Sequence, residues 1–269
     1  MAVHTEIRGV AGVEGDVLTV ITLDRPERRN AVDHQTLADL TAALEAAAAR
    51  PTRVLVLTGA AGHFCSGADL TGVEDASFAT LLQGVLDRLR DVSFPTIAAV
   101  EGSALGAGSQ LAVACDLRVA TADASFGVPA AKLGLMVNHW TVQRIATLAG
   151  PSVARAILLA AEVVRGDQAL RLGLVNREGA LPEALAWAEQ IALLAPLTIV
   201  DPGPDQPVRI RASEFALPGL RTGPGGGQVA RADRRRRGEG VVRRRRRHGP
   251  LQALGAFPGT RLGLGPAAQ

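Results

Sequence analysis

EGSALGAGSQLAVACD, residues 101–116, follows the apolar run PTIAAV at residues 95–100 and indicates the architecture of the chain most directly. The apolar run predicts a short strand, and the glycines after it predict a turn that opens a helix over residues 107–115. The first N–H groups of a helix have no partner inside it, and the positive end of the helix dipole lies there. This stretch therefore predicts backbone donors that face something negative.

The same alternation of strand and helix recurs along the chain and predicts an α/β domain. The predicted strands cover residues 17–23, 54–58, 96–100 and 117–121. The predicted helices run from the N-cap Asp33 to Arg50 and over residues 85–90, 107–115, 141–149, 152–163, 168–172 and 181–195.

Composition narrows the class of protein. The 269 residues are 47% apolar, and no apolar run approaches the roughly 18 residues that a membrane span needs. The start of the chain lacks the apolar stretch of a secretory signal. Two cysteines, Cys65 and Cys115, give neither a disulfide framework nor a zinc spacing. We expect a cytoplasmic protein with no membrane span and no metal.

Charge divides the chain into a core, residues 1–200, and an atypical tail, residues 201–269. The core holds 15 basic and 21 acidic side chains, whereas the tail holds 14 arginines against 5 acids, together with 13 glycines and 8 prolines. Arginine blocks of this kind are read either as a nucleic-acid-binding arm or as a solvated segment. No aromatic residues alternate with the arginines to stack on bases. We therefore predict a disordered tail, or one translated out of frame, and not a nucleic-acid site.

The glycine turn itself fits two kinds of site. A dinucleotide loop would need a small residue where Leu111 stands, and no Walker lysine follows. An oxyanion hole needs only backbone N–H groups at a helix start, and a second loop of this kind occurs at residues 65–69. Two such loops that meet on one oxygen would polarise a carbonyl group.

Ordered motifs along residues 15–195 resemble the enoyl-CoA hydratase/isomerase (crotonase) family. The motifs stand at residues 25–31, 64–70, 95–108, 111–112, 115–116, 126–127, 134, 143–144 and 169–176. The resemblance implies a crotonase-like spiral of ββα units with a helical C-terminal part. It also implies homotrimers or dimers of trimers, and an acyl-CoA thioester as ligand, with coenzyme A as part of the substrate and no other cofactor.

By the same resemblance, the N–H groups of Ala68 and Ala107 form the oxyanion hole. Other positions would lie along the coenzyme A or the acyl group, namely Arg28, Arg29, Ala31, Ser66, Gly67, Asp69, Leu70, Met136, Asn138 and Trp140.

Two positions depart from the family pattern. Family hydratases carry two glutamates that activate water and protonate the α-carbon, and here Gln110 and Ala130 stand in those places. An amide accepts no proton at neutral pH, and a methyl group has no polar chemistry. Because each acid/base group is typically worth about 10²–10⁴-fold in rate, the sequence predicts an acyl-CoA binder that is a poor or inactive hydratase.

Several alternatives stay open. Gln110 is either a core amide satisfied by the backbone or an amide that holds the thioester or a water. His139 is a candidate acid/base group for an active lyase or isomerase, although a lone histidine beside a tryptophan is more often structural. His63 and Cys65 resemble a base and a nucleophile, but no third residue that would orient them is evident. The simpler interpretation is that both side chains pack beneath the loop expected to contact coenzyme A.

Overall fold

A computed structural model of the chain describes residues 2–69, 76–194, 197–200 and 209–212. The strands are β1 Val3–Gly9, β2 Asp16–Leu23, β3 Val54–Gly59, β4 Thr96–Val100, β5 Ser103–Leu105, β6 Leu117–Ala120, β7 Ser125–Gly127, β8 Val164–Arg165, β9 Arg177–Glu178, β10 Leu197–Val200 and β11 Arg209–Ala212. The helices are α1 His34–Ala48, α2 Ala76–Asp91, α3 Ala107–Ala114, α4 His139–Ala149, α5 Pro151–Leu159, α6 Gly166–Arg171 and α7 Leu181–Ala192, with 3₁₀ helices at Pro26–Arg28 and Pro129–Leu133.

The strands of the described residues form three sheets. A six-stranded sheet has the order β1-β2-β3-β4-β6-β9, in which β1 is antiparallel to β2 and the other neighbours are parallel. A small sheet has the order β5-β7-β8, and β10 pairs with β11 alone. The alternation of strands and helices confirms the predicted α/β class.

Both faces of the large sheet are covered, which explains why its central strands are continuously apolar. Val54 and Val56 of β3 face one hydrophobic cluster together with the alanines of α7. Leu55 and Leu57 face the other way, into a larger cluster that includes residues of α1, α2 and α3. Successive strand residues point to opposite faces, so a single apolar run serves both layers.

The ββα repeat that the resemblance implies is present. The strands β3, β4 and β6 lie side by side in the large sheet, and each is followed by a second extended segment and then by helix. The second segments pair with one another through Cys65 with Ala104 and Ala104 with Phe126. This pairing aligns the loops that follow them, beyond the carboxyl ends of the parallel strands, where open α/β sheets bind ligands.

A buried arginine, Arg118 of β6, fixes one end of this arrangement. Its guanidinium group donates to the carbonyl oxygens of Leu174 at 2.6 Å and Cys115 at 2.8 Å. Burial lowers the pKa of Arg118 to about 10, so the side chain remains charged at neutral pH. It therefore connects the end of α3 to the segment that leads into β9.

The structure differs from the sequence prediction mainly in short or exposed elements. The strand β1 was not predicted, because six of its seven residues are at least partly exposed and it carries no clear alternation. The helix α2 begins at Ala76 and not at residue 85. The helix α5 ends at Leu159 and not at residue 163, since Ala161 takes a left-handed conformation with φ 51°.

The tail prediction falls almost wholly outside the described residues. The chain divides into a unit Met1–Pro218, which holds all of the described residues, and a unit Gly219–Gln269, which lies outside them. Of residues 201–269, only the strand β11 is described. In the described ranges, no helix is long and apolar enough to cross a membrane.

Candidate active site

Two loops are brought into register by a short parallel pairing. The Cys65 N–H donates to Ser103 O at 2.8 Å, and the Leu105 N–H donates to Cys65 O at 3.0 Å. Cys65 therefore lies opposite Ala104. Ala68 and Ala107 each follow their paired residue by three positions, so the two donor loops leave the pairing side by side.

Glycines allow the loops to approach closely. Gly106 precedes α3 with φ 54° and ψ −116°, a conformation that side-chain-bearing residues rarely adopt. A Cβ atom on Gly108 would overlap the carbonyl oxygen of Cys65. The sequence places glycine at these positions because the first turn of α3 packs directly on the backbone of the other loop.

The backbone N–H groups of the two predicted donors have no acceptor among the described residues. Val32 forms hydrogen bonds with both chain neighbours of Ala68. Its carbonyl oxygen accepts from the Asp69 N–H at 2.8 Å, and its N–H donates to the carbonyl oxygen of Gly67 at 2.9 Å. Ala107 is the first residue of α3, where the N–H has no helical acceptor. Among the described residues, neither the Ala68 N–H nor the Ala107 N–H donates a hydrogen bond within the chain.

Both donor residues line a cavity of about 490 Å³. Its described lining consists of Ser66, Gly67, Ala68, Phe78, Ala79, Leu82, Gly106, Ala107, Gln110, Val128, Pro129, Ala130, Leu133, Leu135, Met136 and Val137. Among these residues, none has a side chain that titrates near neutral pH. The cavity is thus an apolar space with backbone donors, suited to an acyl group.

Gln110 lines this cavity from α3. Its side-chain oxygen accepts a hydrogen bond of 3.1 Å from the hydroxyl group of Thr141, a buried residue of α4. Gln110 is partly exposed, and among the described residues its amide nitrogen has no hydrogen-bond acceptor. The amide is held at one end and open to the cavity at the other.

Ala130 lines the cavity from the 3₁₀ helix Pro129–Leu133, so Gln110 and Ala130 belong to different segments around one space. Leu133, Leu135 and Met136 follow at the rim, and Met136 is 97% exposed. The side chain of Met136 therefore leaves the interior of the cavity unfilled.

Comparison with known proteins gives the family. Residues 14–200 match the family model for enoyl-CoA hydratase/isomerase. The chain belongs to this family. Its fold is accordingly the crotonase fold, and an acyl-CoA substrate fits the family.

Similar proteins include curated sequences and solved structures. A Mycobacterium tuberculosis protein named "Probable enoyl-CoA hydratase echA6" is 43% identical over 189 residues, which cover 69% of this chain and 77% of the relative. The crotonyl-CoA hydratase of Syntrophomonas wolfei is 36% identical over 65% of this chain and 70% of its own length. An enoyl-CoA hydratase/carnithine racemase from Magnetospirillum magneticum superimposes with a TM-score of 0.64 at 30% identity, covering 71% and 75% of the two chains.

The 3₁₀ turn that carries two of the predicted coenzyme A positions lies beside the loop at residues 65–69. Arg28 and Arg29 are exposed on a 3₁₀ turn, and this turn is tied to the loop by Ser66. The Ser66 N–H donates to Arg29 O at 3.0 Å, and the Ser66 hydroxyl group donates to Arg28 O at 3.1 Å. These two bonds hold the backbone of Arg28 and Arg29 beside the loop that carries Ala68, and the contact of the two side chains with coenzyme A stays a prediction.

Asp69 has a structural partner that sequence reasoning did not assign. Arg25 contacts Asp69 at 3.1 Å and Asp33 at 3.1 Å, and it donates to the carbonyl oxygen of Ala31 at 2.7 Å. Arg25 thus connects the 3₁₀ turn, the start of α1 and the loop at residues 65–69. Ala31 and Asp69 are positioned by it and do not line the cavity, and Leu70 lies outside the described residues.

Three predicted residues at the start of α4 are not brought into the cavity. Asn138 caps α4, accepting from the Thr141 N–H at 2.8 Å and donating to the Gln83 side chain at 2.6 Å. His139 is exposed as the first residue of α4. Trp140 packs against the core, with the Arg90 guanidinium 4.8 Å from its ring centroid. Asn138 and Trp140 are thus engaged in helix capping and packing, and their contacts with an acyl group stay a prediction.

The cysteines do not have the properties of nucleophiles. Both are fully buried, and burial raises the pKa of each thiol to about 12. The Cys65 sulfur lies 3.7 Å from the carbonyl oxygen of Gly67. The packing interpretation of Cys65 therefore fits the structure, because a thiol of this pKa remains protonated at neutral pH.

Several residues of the site went unrecognised in the sequence. Phe78 and Leu82 of α2 line the cavity, and with the buried Leu86 and Leu89 they follow spacings of four, four and three, a helical period that could have been detected. No pattern in the sequence indicated that Thr141 contacts the site. Its contact with Gln110 joins residues 31 positions apart on two different helices.

Proposed function

We propose that the chain binds an acyl-CoA thioester with the thioester oxygen between the N–H groups of Ala68 and Ala107, and that it hydrates 2-enoyl thioesters poorly or not at all. The observation that carries this proposal is the described lining of the cavity, which combines two free backbone donors with no titratable side chain. Backbone N–H groups can bind the oxygen of a carbonyl group, but they cannot accept a proton from water and so cannot activate it.

The chemical reason is the missing proton transfer. Hydration adds the hydroxyl group of water to the β-carbon and a proton to the α-carbon, so it needs groups that take one proton from the water and deliver one to the α-carbon. The amide of Gln110 and the methyl group of Ala130 do neither at neutral pH. The histidine of the alternative lyase or isomerase mechanism, His139, is outside the cavity lining, and no observation on the described residues favours that mechanism.

Calorimetric titration with crotonyl-CoA tests the binding half of the proposal, since a relative is named as a crotonyl-CoA hydratase. We expect crotonyl-CoA to bind more tightly than free coenzyme A, because only the thioester presents an oxygen to the two donors. Equal affinity for the two compounds would remove the oxyanion hole from the account.

Reversal of the charge at Arg28 or Arg29 tests the coenzyme A side. We expect Arg28→Glu and Arg29→Glu each to weaken crotonyl-CoA binding and to reduce its dependence on salt, since phosphate groups pair with cationic side chains and salt screens exposed charges. The measurement is the dissociation constant at several ionic strengths.

Arg50→Glu is the matched control for these variants. Arg50 is exposed and stands between α1 and β3, at the amino end of the parallel strands and on the opposite edge from the cavity. The control changes the net charge equally, so it reports the effect of overall charge alone. Affinities that are unaltered in both test variants would exclude Arg28 and Arg29 from the site.

Assembly and location remain predictions. The family resemblance implies a homotrimer or a dimer of trimers in the cytoplasm, in which coenzyme A enters only as part of the substrate.

A further inference from the structure

Gln110 stands one helical turn beyond Ala107 on α3. Residues three apart lie on the same helix face, and side chains lean toward the N-terminus of the helix. Both residues line the cavity, so the Gln110 side chain extends along the space that starts at the Ala107 N–H. A ligand whose thioester oxygen is bound there has its following carbons beside the amide.

The amide faces the cavity as a donor. Its oxygen accepts from the Thr141 hydroxyl group at 3.1 Å, and Thr141 is itself fixed by the Asn138 cap of α4. What remains toward the cavity is the NH₂ group, which has two donors and no acceptor capacity. The amide nitrogen has no acceptor among the described residues, so the ligand or solvent must provide one.

Little else in the lining competes for such a ligand group. Among the described lining residues, only Ser66 and Gln110 have polar side chains. The Ser66 hydroxyl group donates its proton to the carbonyl oxygen of Arg28 at 3.1 Å. The Gln110 amide is therefore the side-chain donor of the described cavity wall that is left to a bound acyl group.

We propose that Gln110 selects acyl thioesters with an acceptor oxygen on the β-carbon, that is, 3-oxoacyl or 3-hydroxyacyl thioesters over the unsubstituted acyl chain. Four bonds separate a β-oxygen from the thioester oxygen, a reach comparable with the pitch of one helical turn, about 5 Å. An unsubstituted chain leaves the donor without a partner against an apolar surface, which is unfavourable. This inference rests on the proposed function and adds the class of acyl group.

The test compares 3-oxobutanoyl-CoA, 3-hydroxybutanoyl-CoA and butanoyl-CoA, which have the same chain length, by calorimetric titration of the full chain at neutral pH. We expect one or both oxygenated thioesters to bind about five- to tenfold more tightly than butanoyl-CoA, as one additional hydrogen bond provides. The two oxygenated ligands distinguish a carbonyl from a hydroxyl acceptor.

Three variants assign the preference to the amide. Gln110→Met keeps the length of the side chain and removes its donors. We expect the difference between ligands to vanish, because the oxygenated thioesters lose a hydrogen-bond donor while butanoyl-CoA no longer buries an unpaired one and binds more tightly. Gln110→Glu places acceptors toward the cavity, and we expect 3-oxobutanoyl-CoA then to bind more weakly than butanoyl-CoA. Thr141→Val removes the hydroxyl group that orients the amide, and we expect a smaller preference than in the native chain.

The outcomes separate this inference from the proposed function. Equal binding of all three thioesters by the native chain overturns the inference alone. An equal loss of affinity for all three thioesters in Gln110→Met also overturns the inference, because such a loss would show that Gln110 has a purely structural role. Failure of every thioester to bind overturns the proposed function as well.

Discussion

The double variant Gln110→Glu/Ala130→Glu is expected to hydrate crotonyl-CoA at least about 100-fold faster than the native chain, because each acid/base group is worth roughly 10²–10⁴-fold. Both positions line the same cavity from different segments, so two new carboxylates would face one bound acyl group. The exposed Met136 leaves room for a water between them. The measurement is the loss of the conjugated enoyl thioester absorbance over time.

Two further variants serve as controls for this result. Gln110→Glu alone is expected to raise the hydration rate only slightly, since the groups of one catalytic unit act together and their effects are strongly non-additive. Gln110→Glu/Ala131→Glu adds the same charge, but Ala131 is exposed and outside the cavity lining. An equal rate for the Ala130 and Ala131 double variants would contradict the assigned role of position 130.

Removal of one backbone donor is expected to have the second-largest effect. In Ala107→Pro the N–H is absent, and we expect the affinity for crotonyl-CoA to fall by about 10- to 100-fold, since the thioester oxygen then loses a partner in an apolar site. Proline is tolerated at the first position of a helix, where Ala107 stands, so the fold is expected to persist. The measurements are titration calorimetry and the thermal unfolding midpoint.

Ala107→Val is the matched control for Ala107→Pro, because valine is similar in volume to proline and retains the N–H group. We expect it to bind crotonyl-CoA much more tightly than Ala107→Pro does, while free coenzyme A binds all three chains equally. If the valine and proline variants lose the same affinity, the effect is steric and the N–H of Ala107 is not a donor to the thioester.

The sequence predicted those parts of the site that depend on backbone geometry. Gly106 and Gly108 predicted a turn that opens a helix, and the structure places them there, where the first turn of α3 also meets the backbone of Cys65. Gln110 and Ala130 both line the cavity, and their correspondence to the family's glutamates stays a prediction. Short motifs report such features because each depends on residues close together in the chain.

Contacts between distant segments were not predictable in this way. The bond from Thr141 to Gln110, the Arg25 contacts with Asp33 and Asp69, and the buried guanidinium of Arg118 all join elements whose approach is set by the whole fold. His139 illustrates the converse, since its residue type suggested chemistry while helix capping by its neighbour Asn138 leaves it exposed. Residue type alone does not tell whether a side chain faces a cavity or solvent.

The most direct test of the central claim is the turnover number of the native chain with crotonyl-CoA, measured under conditions in which calorimetry shows the thioester to be bound. Ordinary enzymes turn over at about 10 s⁻¹. With both carboxylates absent, we expect less than about 0.1 s⁻¹, a reduction of at least the lower value for one acid/base group. Hydration by the native chain at about 10 s⁻¹ or faster would contradict the account and would require a catalytic group beyond the described cavity lining.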